Sequence, residues 1–202
     1  MKIRALLVGV LLVASTTSAL AAGPYIGAAG GVSIFHDSDE NDTISGTTDT
    51  REYDAGFGFN VSAGYNFDPV RVEFEFGYKA ADVDKFTVPG FGSVSGAGSD
   101  ATVMSYMANV YYDFKTKSPF TPYIGVGLGL LNGEFKDLDF DFKEDDTVFG
   151  YQFAVGAAYN FNKNVAFDLS YRFQGAASDF EVAGFEIPYN SSNIMAGLRY
   201  NF

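Results

Sequence analysis

From Val70 the chain alternates. Val70, Val72, Phe74, Phe76 and Tyr78 are apolar, and Arg71, Glu73, Glu75, Gly77 and Lys79 between them are charged or small. A period of two predicts a strand over Val70–Ala80 with one greasy face and one polar face. The same pattern predicts strands over about Pro24–Phe35, Gly56–Phe67, Ala101–Phe114, Phe120–Leu131, Val148–Phe161 and Val165–Gln174. An eighth strand ends the chain, with Ile194, Ala196, Leu198, Tyr200 and Phe202 on one face and Asn193, Met195, Gly197, Arg199 and Asn201 on the other. A terminal Phe frays in water, but a strand that ends at a membrane interface has a reason to keep it.

The connections alternate in length. Phe67–Pro69, Lys115–Pro119 and Phe161–Asn164 are tight, whereas residues 36–53, 81–99, 132–147 and 175–190 are long. Short turns at one end and long loops at the other are the pattern of a membrane-spanning barrel, with the short turns in the periplasm. Phe67, Phe114, Phe120, Phe161 and Phe202 recur at the short-turn end of the greasy faces, as an aromatic girdle requires. The expected fold is all-β: an eight-stranded antiparallel up-and-down transmembrane β-barrel with both termini in the periplasm. A secreted lipocalin-like barrel is the alternative, and its apolar face would point inward.

The N-terminus changes the picture only at its start. Lys2 and Arg4 precede an unbroken apolar run, Ala5–Ala14, and Ala19-Leu20-Ala21 has the small-x-small form of a cleavage site. The run is short of the about 20 residues that a spanning helix needs. Residues 1–21 are therefore expected to be a secretory signal, and residues 22–202 the barrel domain. The chain has no Cys, which removes disulfides and thiolate chemistry together. Its formal net charge of -12 argues against a nucleic-acid partner, because phosphate contacts need clustered Lys and Arg.

Phe120-Thr-Pro-Tyr-Ile-Gly-Val-Gly-Leu-Gly after a short turn resembles the outer-membrane β-barrel domain family, which includes OmpA-type and opacity-type surface proteins. Pro24-Tyr-Ile-Gly-Ala-Ala-Gly-Gly and the closing Gly197-Leu-Arg-Tyr-Asn-Phe resemble that family's first and last strands. The resemblance implies location in the cell outer membrane among lipid and lipopolysaccharide. It also implies insertion by the outer-membrane assembly machinery, with Phe202 as the assembly signal. The chain stops at Phe202, so a peptidoglycan-binding domain of the OmpA kind is not expected. The absence of Trp is a smaller departure, since Tyr and Phe can fill the girdles.

Candidate chemistry is sparse. His36 is the one histidine, and Asp37, Asp39, Glu40, Asn41 and Asp42 follow it. The start imitates a calcium loop, but Asp42 stands where Gly is required and no Glu closes the twelfth position. A solvated acidic loop is the expectation, with no metal and no cofactor. His36 is expected to have only loop residues as partners, which leaves no catalytic constellation. The third long connection is again acidic, and Leu138, Phe140 and Phe142 alternate through it. They suggest a protruding hairpin whose aromatics dock on a neighbouring hairpin or on a partner. The second, rich in Gly, reads as flexible linker.

On the polar faces, levelling the turn Phe161–Asn164 with the C-terminus puts Asp168 opposite Arg199. The same levelling brings Arg71 close to Asp113, with Glu73 one step higher. Arg71, Glu73, Asp113, Asp168 and Arg199 are therefore expected to form an ion cluster plugging the periplasmic half of the lumen. Eight-stranded barrels are mostly filled by side chains, although the glycines of Phe120–Leu131 are expected to keep some space open. The expected function is a surface role of structural or interaction type, adhesin- or antigen-like, carried by acidic extracellular loops toward an unidentified extracellular ligand. The alternative is a small gated porin or solute channel.

Overall fold

The computed structural model describes residues 22–202 apart from 37, 43–47, 54, 89–91, 96–98, 138–141 and 183–184. The expected 1–21 leader lies outside the described residues. So do Asp37 and the Leu138–Asp141 part of the third connection.

Eight strands form the barrel: β1 (Gly23–Phe35), β2 (Ala55–Asn66), β3 (Val70–Val88), β4 (Ser99–Asp113), β5 (Phe120–Asp137), β6 (Phe142–Asn160), β7 (Val165–Ala176) and β8 (Asn190–Asn201). Each pairs antiparallel with the next. β1 then pairs with β8, from Tyr25 opposite Asn201 to Phe35 opposite Ser191, so the sheet closes and leaves no edge at this level.

The pleat sorts the side chains as the alternation predicts. Phe57, Phe74, Leu128, Phe149, Leu169 and Leu198 face outward and are exposed, while Arg71, Glu73, Glu75, Asn109, Gln152 and Asn193 face inward and are buried. A greasy exterior over a polar interior suits lipid and is the reverse of a soluble barrel. The five girdle Phe residues are all exposed. Four of them meet a Tyr two residues earlier on the same strand face: Tyr65–Phe67 at 4.6 Å, Tyr112–Phe114 at 5.1 Å, Tyr159–Phe161 at 5.2 Å and Tyr200–Phe202 at 5.1 Å between ring centroids. Phe120 packs on Tyr159 at 4.9 Å. Phenyl rings with a phenol alongside fit a boundary that is apolar on one side and wet on the other.

The wall of the barrel is uneven. β1, β2, β7 and β8 have 13, 12, 12 and 12 residues, whereas β3, β4, β5 and β6 have 19, 15, 18 and 19. Twelve tilted residues at a rise of ~3.3 Å just cross a ~25 Å apolar band, so the longest strands project roughly 15–20 Å beyond it. Much of the second and third connections is thus strand, which corrects the flexible-linker expectation for 81–99: Gly92–Ser95 pairs back on β3. Gly92 did not prevent pairing, because the neighbouring strand supplies the missing backbone partners; Gly90, Gly96 and Gly98 lie outside the described residues.

Shorter strands raise the low side. Phe180–Val182 pairs with Phe185–Ile187, which pairs with Ser38–Asp42, which pairs with Thr48–Tyr53, which pairs with the upper part of β3. The first and fourth long connections therefore share one small sheet above the membrane.

Candidate functional site in the lumen

The inward face fills because large residues stand opposite glycines. Tyr111 faces Gly125, Asn109 faces Gly127, Tyr25 faces Gly64 and Tyr123 faces Gly156. A Cβ on Gly125 would lie 2.2 Å from Tyr111 Cδ1, and one on Gly127 would lie 2.0 Å from Asn109 Oδ1. This corrects the expectation that the glycines of β5 hold the lumen open. The space they leave is taken by the residues of β4 directly across the ladder. What remains beside the ion cluster is a cavity of about 30 Å³, room for about one water.

Arg71 sits at the centre of the lower lumen. Its Nε donates to both carboxylate oxygens of Asp113, at 2.8 and 3.0 Å. Its guanidinium carbon lies 4.6 Å from the Tyr111 ring centroid, 4.9 Å from that of Tyr123 and 5.7 Å from that of Tyr25. Three electron-rich faces around a cation stabilise it in a site that water scarcely reaches. Tyr25 and Tyr111 in turn donate their hydroxyls to Glu73, at 3.0 and 3.2 Å. The tyrosines therefore join an arginine to a carboxylate that does not bond it directly.

Asp168 and Arg199 form a looser pair. The closest approach is 3.7 Å, and Arg199 Nε and Nη1 have no hydrogen-bond partner. Arg199 lies over Tyr25, 5.6 Å from the ring centroid, which ties this pair to the Arg71 group. The register differs from the levelling by two residues: Arg199 faces Ala166, and Asp168 faces Gly197. The turn and the C-terminus are not level. Asn201 N donates to Asn164 O and Phe202 N to Pro24 O, so β8 runs on past the start of β7 to reach β1. A long guanidinium spans the resulting offset.

Higher in the lumen lies a second set of charges that the levelling passed over. Arg172 pairs with Glu75, which also accepts from Asn60 at 3.0 Å and from Gln152 at 3.4 Å. Gln152 accepts from Gln174, and Gln174 accepts from Lys79 at 2.7 Å. Glu75 and Lys79 share the inward parity of Glu73, and Arg172 shares that of Asp168, so alternation alone carried the signal. Together Arg71, Lys79, Arg172 and Arg199 balance Glu73, Glu75, Asp113 and Asp168. A neutral set is what burial demands, since an unpaired buried charge is costly.

Outside this column, the structure corrects the expectation for His36. Its Nε2 lies 2.9 Å from Ser192 Oγ, which lies 2.9 Å from Tyr171 Oη. Ser192 and Tyr171 are strand residues, so His36 is not confined to loop partners: β1 places its end beside β8 on the outer face. Phe202 caps the other end of the same seam, exposed and edge-on to Tyr200. Among the described residues, no group of three or more His, Cys, Asp or Glu is placed to hold a metal.

The profile of the outer membrane protein beta-barrel domain family matches residues 4–202. The chain belongs to that family, and its place is the outer membrane. It is 27% identical to outer membrane protein PagN of Salmonella typhimurium, over 93% of each chain. It is 25% identical to an uncharacterized protein of Brucella suis, over 78% of this chain and 74% of that one. Among solved structures it resembles Neisserial surface protein A, with a TM-score of 0.65 and 22% identity, covering 89% of this chain and 97% of the other. That likeness is one of fold.

Proposed function

We propose that this family member is a surface-interaction protein, adhesin- or antigen-like, whose binding surface is the set of strands and connections beyond the membrane. The observation that carries the reading is the uneven wall, since β3, β5 and β6 run far past the length that lipid requires. Projecting strands cost ordering entropy without lipid burial to offset it, which favours a role outside the cell. The rim also opposes like charges where Glu181 faces Glu186. Facing acids disfavour pairing, and a basic protein surface would relieve them.

The test is adherence of cells expressing the protein to epithelial surfaces and to an immobilised basic protein. Shortening the β5–β6 hairpin should cut adherence severalfold, and raising salt should do the same to the intact protein. Equal adherence with and without the gene would end this reading. The lipid contacts belong to the same proposal. Outward faces meet lipid and lipopolysaccharide, with the His36–Ser192–Tyr171 hydroxyl chain near headgroup level. Phe202 serves the assembly machinery, so deleting it should slow insertion. Insertion at the normal rate would refute that role.

The second reading is a gated channel, favoured by the polar column inside the wall. With about 30 Å³ free beside the ion cluster, it requires side chains to move. Single-channel recording of refolded protein separates the two readings: steady closure supports the first, and resolved openings the second.

A further inference from the structure

At the outer end the lumen changes character. Six inward positions there are apolar and buried: Phe35 of β1, Ala81 of β3, Val103 and Met107 of β4, Leu131 of β5 and Val148 of β6. Three more members of this cluster come from no barrel strand. Phe180 is 0% exposed and Ile187 4%, and both lie in the connection between β7 and β8. Tyr189 completes the cluster, edge-on to Phe35 at 5.5 Å and to Phe180 at 6.1 Å.

We infer that the Phe180–Val182/Phe185–Ile187 hairpin is a cap on the barrel mouth, seated through Phe180 and Ile187 in an apolar socket built by the inward residues of the rim. An apolar ring facing a wet mouth is unfavourable, because its surface is left in water. The hairpin covers it. The floor of the socket is the top of the ionic column, where Tyr189 Oη donates to Gln174 Oε1 at 3.2 Å. The lumen thus has two closures in series, an apolar one above and an ionic one below.

The two strands of the cap have three residues each. Glu181 N donates to Asp146 Oδ2 at 2.9 Å, and Ala177 N to Phe149 O at 2.8 Å. Its further backbone pairing is to Asn41 and Asp42, in the small sheet above the membrane. A short hairpin outside the closed ladder, seated through one buried anchor cluster, opens locally while the barrel stays intact. Opening would bare the socket without disturbing the ionic column. The inference is independent of what the outer loops bind.

The chain has no Cys, so Leu131→Cys gives a single thiol in the socket. On intact cells it should resist a charged, membrane-impermeant methanethiosulfonate. Adding Phe180→Ala and Ile187→Ala should speed labelling at least tenfold, and Phe180→Leu in place of that pair should restore most of the protection. Heat-dependent gel mobility checks that each variant is a folded barrel. Equal labelling with and without the anchors, or no labelling once they are gone, would overturn the inference. Should the double variant fail to fold, hydrogen exchange on the unmodified protein decides. The Ala176 and Ala177 amides should exchange at least tenfold faster than β7 amides lower in the wall, and equal protection would overturn the cap.

Discussion

The two ends of the lumen are closed by opposite chemistry. Below, Arg71 is held by Asp113 and three tyrosine rings, all on strands of the closed barrel. Above, Phe180 and Ile187 are held by apolar contact and come from a connection. The lower closure is part of the wall and can fail only with it. The upper one is an added piece that can leave. Directional, charge-balanced contacts fix the lower layer, whereas the anchors of the upper one are seated by apolar burial, which is non-directional.

The sharpest way to break this contrast is Arg71→Ala. It strands Asp113 and Glu73 in the lumen and should destabilise the barrel by about 3–5 kcal/mol, read as a fall in the gel-mobility or denaturant midpoint. A change below ~1 kcal/mol would mean that lumen water replaces the guanidinium and that the lower layer is no closure. Gly125→Ala comes next. Its Cβ would meet the Tyr111 ring at 2.2 Å, and the expected loss is about 1–3 kcal/mol from overpacking. Pairing it with Tyr111→Ala should recover part of that loss, and strict additivity would show that the two do not compete for space.

The Asp168–Arg199 pair should behave more softly than Arg71–Asp113. At 3.7 Å without a hydrogen bond, its coupling in a double-mutant cycle should be at most about 1 kcal/mol. A coupling as large as that of Arg71–Asp113 would show that the two pairs are one unit, joined through Tyr25. The smallest effect belongs to the upper layer. Phe180→Ala should leave the global unfolding midpoint of the barrel nearly unmoved while raising local exchange at Ala176 and Ala177. A drop comparable to that of Arg71→Ala would erase the distinction between wall and cap.

Alternation was enough to place residues in or out. The apolar parity of β3 and of β8, the tight turns and the recurring Phe at one boundary specify a closed barrel in lipid, because lipid accepts only a sheet without edges and with its greasy face outward. The same parity marks Arg71, Glu73, Asp113, Asp168 and Arg199 as inward, and Glu75, Lys79 and Arg172 with them. Height was harder to read. Whether Arg199 meets Asp168 directly or across an offset depends on how far β8 runs past the turn at Asn164, and the hydrogen bond from Asn201 sets that.

Tertiary structure alone decided three things. It filled the glycine column of β5, because a glycine reads as open space until the strand beside it supplies Tyr111 and Asn109. It gave His36 a strand partner, because β1 and β8 lie at opposite ends of the chain and meet only when the barrel closes. It also turned Phe180 and Ile187 inward. A short apolar segment in a polar loop has no periodicity to declare a face, and its socket is assembled from five strands that no local pattern connects. The sequence by itself determined which face of each strand meets lipid, since a two-residue period is local. What stands across the lumen is a matter of closure and register, which are properties of the whole ring.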